Sequence, residues 1–577
     1  MDPAGSAVPR SRTIRSLVLL VALACSGVLA LAQTFSAVSP GDLKKKVEHL
    51  SAQQRWEDIT RELESASTRD ADLYYYYGIA LAQLGRGNEA RTVFLAGLRR
   101  RPHDKRFPIE LGGLAFKQQD YGQAAAWLRD GLRIDPEDSY ANEFLGTVYF
   151  LEDNLEAALK YWNRVGKPEI ERVSPDPALQ IRPSLLDRAL DFAPETTLLL
   201  PQLRTSQVRV EGLDIFPVAR FRLSARETGK FDVVLNFQER NGFGVNKWEA
   251  LLSTLSGVAY ETVYPAYFNL GRSAVNITAL IRWDAQKRRV EAGLAGPLHQ
   301  NPKWRYRLGF DLRNENWEIR ESFTGPAPVL GALNLRKEAA TAEMYCFNSG
   351  RLRWSAGLEF SHRDYRNIVP GTTLSPQLLL TGPQLKQLLT VHYELWRLPE
   401  HRFAITSSAS SQLARIWSEP SEDFAKLQGG LEAHWFPKSE GEDYETRIQV
   451  RAGNLWGQPP FDELYMVGME RDNDLWMRGH IGTSEGRKGS APLGVRYFLA
   501  NSDLRKDFYS NGLLTVGMGP FLDTGKIADP SGSLGSRRWL WDTGAQARVR
   551  ILGVGLSFIY GKDLLTGNNA YYFTAGR

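Results

Sequence analysis

The stretch NDLWMRGHIGTSEG, from Asn473 to Gly486, holds the residues whose types and spacing most suggest a functional role. Its centre is the cluster Met477-Arg478-Gly479-His480. A guanidinium can form paired, charge-assisted hydrogen bonds to a carboxylate. An arginine in a surface loop is usually only hydrated. The role of this cluster therefore depends on the elements that position it.

The sequence gives little support for an enzyme. It has no Gly-x-Ser-x-Gly, no His-Glu-x-x-His and no spaced Cys/His set, and its eight histidines are scattered. The net charge of +5 over 577 residues is small, and no basic cluster joins a nucleic-acid-binding motif. We expect no enzymatic activity, no cofactor, no metal and no nucleic-acid partner. An exported enzyme on a β-scaffold stays open as a third alternative to the functions considered below.

Residues 1–32 predict a secretory signal peptide. A basic region with Arg10, Arg12 and Arg15 precedes the apolar run 17–32, which ends in the small-x-small sequence Ala30-Leu31-Ala32. An uncleaved N-terminal anchor is the alternative, although the run is slightly shorter than the ~20 residues of a spanning helix. The sequence therefore predicts an exported chain.

Residues 37–168 predict a solenoid of tetratricopeptide repeats. Four kinds of residue recur with a period of 34: a glycine, an alanine, a large apolar residue and a proline. The set is Gly78, Gly112 and Gly146; Ala90, Ala124 and Ala158; Phe94, Leu128 and Trp162; Pro102 and Pro136. The small residues allow the two helices of a repeat to approach, the large residue fills the space between them, and proline ends the second helix.

Three repeats are clear, and a degenerate one precedes them with Trp56, Ile59 and Leu63 at the second-helix positions. Three units are about the minimum for a stable stack. Such stacks offer a concave groove, so we expect these repeats to bind a protein client or partner. The alternative is a scaffold that only holds other domains apart.

Residues 169–243 predict a linker that contains a small α+β unit. A short helical piece, PSLLDRALDFA, is followed by the alternating segments VRVEGLDIF, ARFRLSARE and FDVVLNFQE. This order resembles the polypeptide-transport-associated modules that precede certain outer-membrane barrels. The alternative is that these strands already belong to the sheet that follows.

Residues 244–577 read as strands and loops throughout. In RYRLGFDLR, RLRWSAGLEFS and YETRIQVRAG, one face is apolar and the other is charged or polar. A soluble sandwich and an outer-membrane barrel both produce this alternation. Export, the length of the segment and aromatic residues at strand ends favour the barrel. Those aromatics are Trp283, Trp304, Trp317, Trp396, Tyr444 and Trp456. At roughly 20 residues per strand with its loop, about 16 strands are expected.

This segment resembles the BamA/TpsB superfamily of outer-membrane barrels, which insert or secrete proteins. AYFNLGRSAVNITALIRWDAQKRRVEAGLAGPL is similar to the family's first hairpins, and RILGVGLSFIYG with NNAYYFTAGR is similar to its last strands. Met477 to His480 stand where the family has a Val-Arg-Gly-Phe/Tyr loop motif, and APLGVRYFLANSDLRKDF is similar to the following strand. GPFLDTGKI is similar to the family's Phe-x-Asp-x-Gly strand, here Phe521, Asp523 and Gly525.

The resemblance implies that the Arg478 loop folds into the lumen and meets the strand that carries Asp523. The alternation in LLTVGMGPFLDTG agrees, because it places Phe521 and Asp523 on the face opposite the apolar residues. Gly517 and Gly519 lie on the same face and are expected to leave room for the loop. The alternative is a hydrated Arg478 with no relation to Asp523.

The sequence departs from the family pattern at three places. His480 replaces the aromatic residue of the loop motif, and Phe573 lies four residues before the last residue, where the family usually ends in phenylalanine. Tetratricopeptide repeats take the place of several transport modules. The hypothesis is therefore a barrel in the outer membrane, in contact with its lipid, that inserts or exports a polypeptide recruited by repeats in the periplasm. A passive pore, or an anchor that displays the repeats, is the alternative; the client and the oligomeric state stay open.

A heat-modifiability gel tests the barrel prediction. We expect the unheated protein from the membrane fraction to migrate faster than the boiled protein, because a closed barrel resists the detergent of the gel. Recovery in the soluble fraction with a single gel position would instead indicate a sandwich.

Overall fold

The computed structural model describes residues 40–576 except 67–68, 228, 321–327, 370–373, 439–442, 512–513, 530–532, 537 and 552–553. The signal-peptide prediction for residues 1–32 lies outside these residues. Two compact units are present. The first is Met1–Ser174 with Pro194–Leu200 and Arg222–Val234, and the second is Pro175–Ala193, Pro201–Phe221 and Leu235–Arg577.

The first unit contains four helix pairs in a row. The helices are α1 Pro40–Ala52, α2 Trp56–Glu64, α3 Ala71–Gln83, α4 Gly87–Arg100, α5 Arg106–Lys117, α6 Tyr121–Ile134, α7 Ser139–Leu151 and α8 Leu155–Trp162. Asp70, Asp120, Asp138 and Asn154 each cap a helix by accepting a backbone N–H bond. The pair α1–α2 corresponds to the degenerate repeat, and Ile59 and Leu63 are fully buried in it.

The 34-residue period reflects close packing between the two helices of each repeat. A Cβ added to Gly78 would lie 2.2 Å from the Phe94 ring, and one on Gly146 would lie 2.3 Å from the Trp162 ring. Gly112 faces Leu128 in the same way, at 2.9 Å. The alanines of the period are fully buried. Each glycine is therefore required by the large side chain 16 residues later.

Charged residues link neighbouring repeats at Asp72. Its carboxylate accepts hydrogen bonds from Arg106 Nη2 at 2.6 Å and Lys44 Nζ at 2.7 Å. These bonds hold the pKa of the Asp72 carboxyl well below its usual range. The link therefore contributes stability at neutral pH and loses it only when the pH falls below the usual range of an aspartate.

The segment after the repeats forms a separate small sheet. Its elements are β1 Ile170–Pro175, α9 Pro183–Ala189, α10 Leu200–Gly212, β2 Val218–Ala225 and β3 Phe231–Gln238, with sheet order β1-β3-β2. The strands β2 and β3 thus pair outside the barrel. The expected strand in VRVEGLDIF is wrong, because residues 208–212 end helix α10, with Val210 buried, and residues 213–216 lie in the turn before β2. The alternation V-R-V was too short to separate a strand from a helix.

The remaining strands, apart from a separate two-stranded sheet, form one antiparallel barrel whose order returns from the last strand to the first. In its first half these are β4 Thr262–Val263, β5 Ala266–Leu270, β6 Val275–Arg282, β7 Lys287–Leu298, β8 Asn301–Arg320, β9 Val329–Phe347, β10 Leu352–Arg366, β11 Gly382–Leu398, β12 Phe403–Ile416, β13 Glu422–Trp435 and β14 Tyr444–Gly457. The second half has β16 Thr483–Ser484, β17 Arg487–Lys488, β19 Arg496–Ser510, β20 Leu514–Ala528, β21 Leu540–Ile551, β22 Val554–Asp563 and β23 Asn569–Gly576. The separate two-stranded sheet consists of β15 Tyr465–Met466 and β18 Leu493–Gly494.

The described wall has fifteen strands. β4 and β5 both pair with β6 and form one interrupted strand. β14 pairs directly with β19, so the short β16 and β17 belong to the loop between them. The Tyr260 side chain contributes to the seam between β23 and the first strand. The Tyr260 hydroxyl donates to the Ala575 carbonyl at 3.1 Å and accepts from the Ala575 amide at 3.2 Å.

The exposure of the apolar and polar strand faces distinguishes a membrane barrel from a soluble sandwich. The apolar faces point outward and are exposed: Leu308 by 48%, Phe360 by 53% and Ile448 by 45%. The polar faces point inward, where Arg305, Glu315 and Arg363 are buried. A sandwich would bury its apolar face. This inverted arrangement is that of a barrel whose outer surface meets lipid.

One element of the barrel segment differs from the all-strand prediction. Residues Lys247–Leu255 form helix α11, followed by a 3₁₀ turn at Val258–Tyr260. Asn246 caps the helix by accepting from the amides of Trp248 and Glu249. Within the described residues, no helix combines the length and the apolar character that crossing a membrane requires.

Gly146 and Gly113, which lie in neighbouring repeats, allow a matched test of the packing between the helices of a repeat. Gly146→Ala should destabilise the solenoid by about 1–3 kcal/mol, because the new methyl overlaps Trp162. Gly113→Ala should be neutral or stabilising by up to about 1 kcal/mol, because nothing lies within 4 Å of that position and alanine favours a helix. Denaturant-induced loss of circular dichroism at 222 nm in the full chain measures both. Equal effects of the two substitutions would contradict this account.

Candidate functional site in the barrel lumen

The loop between β14 and β19, residues 458–495, carries the cluster Met477-Arg478-Gly479-His480. It contains a 3₁₀ turn at Phe461–Glu463, the two-residue sheet β15–β18 and the hairpin β16–β17. Its side chains contact residues that point inward from the wall. Two neighbouring backbone contacts join the described loop to β8 on the far side: Lys488 pairs with Trp317, and the Gly489 carbonyl accepts from the Arg320 amide at 3.3 Å. Side chains therefore hold the loop inside the lumen.

Arg478 is bound on two sides of its guanidinium. Nε donates to Asp523 Oδ2 at 2.9 Å and Nη2 donates to Asp523 Oδ1 at 2.6 Å. The Arg478 backbone amide adds a third bond to Asp523 at 3.0 Å, and Nη1 pairs with Asp503. Arg478 is 4% exposed and Asp523 is fully buried. This is a bidentate, shielded ion pair, the strongest class of side-chain hydrogen bond.

Neighbouring residues fix the geometry of this pair. The Arg478 guanidinium carbon lies 3.8 Å from the centre of the Phe521 ring, an arrangement that favours a cation. Asn501 donates to Asp523 Oδ1 at 2.8 Å and to the Trp476 carbonyl at 2.8 Å. Phe521 and Asp523 lie two residues apart on β20, so both point into the lumen.

Small residues allow the loop to approach the wall, but not the ones that were expected. A Cβ on Gly561 of β22 would lie 1.8 Å from the Arg478 carbonyl, and one on Gly479 would lie 2.6 Å from the Asp542 carboxyl. Gly517 and Gly519 instead face Asp507 and the backbone of Leu504 on the neighbouring strand β19. The expectation for these two glycines is therefore wrong, because the loop contacts β20 further along, from Phe521 onward.

His480 replaces an aromatic residue of the family pattern and lies between two carboxylates. Nδ1 is 3.0 Å from Asp542 Oδ2, and Nε2 is 3.7 Å from Asp563 Oδ2. These three buried residues are the described group closest to a metal-ligand set. A metal ion can take one nitrogen of an imidazole ring, whereas here the two nitrogens face different carboxylates. The imidazole ring thus separates Asp542 and Asp563, which are cross-strand neighbours of like charge.

Apolar contacts continue the attachment. Met477 is fully buried, and a Cβ on Gly525 would lie 3.4 Å from its sulfur. On the other side of the lumen, the Trp317 ring meets Phe461 of the loop edge to face at 5.0 Å. Trp317 was expected in the aromatic belt at the lipid interface. It is 8% exposed and packs inside, because it follows the inward parity of β8.

A second ionic group attaches the loop to the opposite wall at Asp472. Its carboxylate accepts from Arg282 Nη1 at 2.8 Å, Arg289 Nη1 at 2.8 Å and Lys488 Nζ at 2.9 Å. Lys488 also donates to Glu315 of β8 at 2.7 Å. The loop thus contributes both an anion and a cation to a buried group with β6, β7 and β8.

A third ionic group attaches the start of the loop at Glu463. Its carboxylate accepts from Lys386 Nζ at 2.7 Å and from Arg363 Nη2 at 3.3 Å. Its backbone carbonyl accepts from Lys426 Nζ at 3.0 Å. The next residue back, Asp462, accepts from the Tyr365 hydroxyl at 3.0 Å. These partners lie on β10, β11 and β13.

Sequence reasoning singled out Arg478 with Asp523 and did not find the groups at Asp472 and Glu463. The structure brings Met477 against Gly525, Arg478 against Phe521 and Asp523, and His480 against Asp542 and Asp563. The available signal for the missed groups was the acidic character of FDE and ERDND in the loop, together with the basic residues on the inward faces of β6 to β13. Nothing in the period of a strand says which loop anion meets which wall cation.

Comparison with protein families and sequences matches the repeats. The tetratricopeptide repeat model matches residues 78–139 and 109–169. No curated protein sequence matches the chain.

Comparison with solved structures gives similarities to two groups of proteins. The chain is similar to BamA from Haemophilus ducreyi lacking POTRA domains 1–3, at 12% identity over 71% of this chain and 84% of that chain, with a TM-score of 0.41. It is also similar to CdiB from Escherichia coli, at 13% identity over 71% of this chain and 75% of that chain, with a TM-score of 0.46. MamA is similar over 22% of this chain and 75% of its own, at 17% identity and a TM-score of 0.21.

The buried pair at Arg478 gives a direct test of loop attachment. Arg478→Ala should lower barrel stability by about 3–5 kcal/mol, because it leaves Asp523 buried without its cation. Arg478→Lys should fall between it and the parent, because a lysine cannot form the bidentate contact. The measurement is the temperature at which the folded band disappears on a heat-modifiability gel.

Arg415→Ala is the matched control for this test. Arg415 is on the same barrel, its side chain is 58% exposed, and its nearest carboxylate is 3.9 Å away at Asp423. Exposed pairs of this kind are worth about 0–1 kcal/mol. If Arg478→Ala and Arg415→Ala moved the transition equally, the loop would not be anchored through Arg478.

Proposed function

We propose that this chain is an outer-membrane barrel that inserts or exports a polypeptide recruited by its tetratricopeptide repeats. The proposal places the repeats in the periplasm and the exposed faces of the barrel in lipid. Its mechanism is noncovalent and requires no cofactor. The observation that carries it is the loop 458–495, which occupies the lumen but is attached to the wall mainly by side chains.

A loop attached in this way can leave without unfolding the wall. The ladders of β14 with β19 and of β19 with β20 are complete without it. Its ion pairs are strong while they are shielded and weaken when water replaces the protein around them. An arriving polypeptide that admits water, or offers competing charges, would therefore release the Arg478 attachment. This gives the loop the properties of a gate.

The repeats supply a surface for the client or a partner. An aromatic row runs along it from Phe116 to Phe144, at 5.1 Å, and from Phe144 to Tyr140, at 5.9 Å. Tyr140 is 55% exposed, which is unusual for a large side chain in a row of ring contacts. Exposed aromatic residues are enriched in protein–protein contacts.

The small sheet between repeats and barrel supports the same assignment. We propose that residues 169–243 are a polypeptide-transport-associated module. The order strand, helix, helix, strand, strand over β1, α9, α10, β2 and β3 gives a three-stranded sheet with two helices, and such a sheet keeps an edge strand for pairing with another chain.

A passive anchor is the second candidate function. The filled lumen favours it over an open pore, since the ionic groups at Arg478, Asp472 and Glu463 cross the space through which solutes would pass. In that case the barrel would only hold the repeats at the membrane.

Depletion of the protein separates the two functions. A transporter should cause the loss of particular surface or secreted proteins, measured by comparing the surface and medium proteomes before and after depletion. Complementation with Arg415→Ala should restore them, and complementation with Arg478→Ala should restore them poorly at equal protein level. If depletion removed only a periplasmic complex and left both proteomes unchanged, the anchor would be correct and the transport proposal wrong.

A further inference from the structure

Helix α11 exposes its apolar residues and buries polar ones, which is the reverse of a helix in a water-soluble protein. Its large apolar residues are exposed: Trp248 by 70%, Leu251 by 49%, Leu252 by 40% and Leu255 by 45%. Their spacing of three, four and seven residues places them on one face. The buried residues of the helix are Glu249 and Ser253. Burial of apolar surface therefore does not explain how this helix is oriented.

Polar contacts fix this orientation. Glu249 Oε1 accepts from Arg240 Nε at 3.1 Å and Nη2 at 3.0 Å, and Oε2 accepts from the Val245 amide at 3.0 Å. The Arg240 guanidinium also lies over the Phe268 ring, with its carbon 5.1 Å from the ring centre. A buried ion pair of this kind is costly to break. The apolar face is therefore held outward.

The helix lies where a wall strand would lie, beside the first strand. Gly242 exchanges backbone hydrogen bonds with Phe268 near the end of β5, at 3.0 and 2.6 Å. Further on, the Tyr264 amide donates to the Thr254 carbonyl at 2.9 Å. Residues 242–254 thus run antiparallel to residues 264–268, as a neighbouring strand would. The segment therefore lies along the first strand, near the seam where the barrel order returns from β23 to β4.

Burial on the last strands shows which side of the wall the helix covers. Phe558 of β22, and Tyr571 and Phe573 of β23, point outward and are 40–62% exposed. Val554 and Ala575 have the same parity, yet they are 4% and 8% exposed. Helix α11 contacts β22, the strand that carries Val554. The residues that cover Val554 and Ala575 therefore lie on the outer face of the wall.

We infer that α11 is a lipid-facing element that closes the seam of the barrel, with the hydrocarbon of the bilayer against its apolar face. The inference rests on the membrane location proposed above. The apolar face continues into the outer surface of the wall: Phe243 meets the Tyr267 ring at 5.3 Å, and Tyr267 pairs with the outward Ile277. A helix satisfies its own backbone groups in lipid, which an isolated strand at an unpaired edge does not.

Spin labelling tests this inference in the full chain. Single cysteines would replace Trp248 and Leu252, one at a time, in a chain carrying Cys25→Ser and Cys346→Ser. Each protein would be labelled with a nitroxide and reconstituted in phosphatidylcholine vesicles. Accessibility to oxygen, which concentrates in hydrocarbon, would be compared with accessibility to a water-soluble nickel chelate. A fast-migrating unheated band on a gel verifies that each variant is folded.

Two controls calibrate the measurement. Ile448→Cys marks the outward wall, and Arg91→Cys marks an exposed position on helix α4 of the repeats. We expect labels at 248 and 252 to favour oxygen as the label at 448 does, and the label at 91 to favour the nickel chelate. Nickel access at 248 and 252 with oxygen access at 448 would overturn the inference alone. Low access to both reagents at 248 and 252 would indicate a protein cover and also overturn it. Nickel access at 448 would contradict the membrane location itself.

Discussion

A guanidinium that has lost its water needs a carboxylate at hydrogen-bonding distance, and Arg478 meets this requirement inside the barrel through Asp523. Several features of the site follow from it. β20 must present Asp523 and Phe521 inward, so the strand register at this point is fixed. The loop must come within contact of β22, so position 561 has space only for glycine. The polar face of the wall has to be the inner one, which in turn leaves the apolar face to lipid.

Charge complementarity extends this constraint to the whole loop. The wall strands β6 to β13 present cations to the first part of the loop, where Glu463 and Asp472 supply the anions. The wall strands β19 to β22 present carboxylates to its second part, where Arg478 and His480 supply the positive or proton-binding groups. The loop can therefore take one orientation across the lumen, since the reverse orientation would place like charges together. Ion pairs between side chains therefore fix the position of the loop, whereas backbone hydrogen bonds fix the position of each wall strand.

The sequence predicts those parts of the fold that repeat along the chain. The period of 34 predicts the solenoid, and the glycine–aromatic pairs that produce it are short-range contacts within one repeat, such as Gly146 with Trp162. The period of two predicts the wall and the inward side of β20. It cannot predict that Asp472 meets Arg282, because 190 residues separate them and any inward cation fits the pattern equally well.

Helix α11 escaped prediction for a related physical reason. Its apolar residues have helical spacing, but the stretch is only nine residues long and stands among strands. What fixes the helix is its cap at Asn246 and the ion pair of Glu249 with Arg240, a residue outside it. Sequence reasoning usually assigns glutamate to the solvent side and leucine to the core, and a membrane reverses both assignments. The same reversal was recognised in the strands because many of them repeat it, whereas the helix shows it once.

The lumen loop and helix α11 both lie against the last wall strands. On their inner side, β21 and β22 hold His480 through Asp542 and Asp563. On their outer side, the end of β22 and β23 near Val554 and Ala575 is covered beside helix α11. β23 has eight residues, and all of them pair with β22. Its position therefore depends on contacts from both faces of the wall, so a change in the lumen loop and a change in the lipid-facing helix act on the same strands.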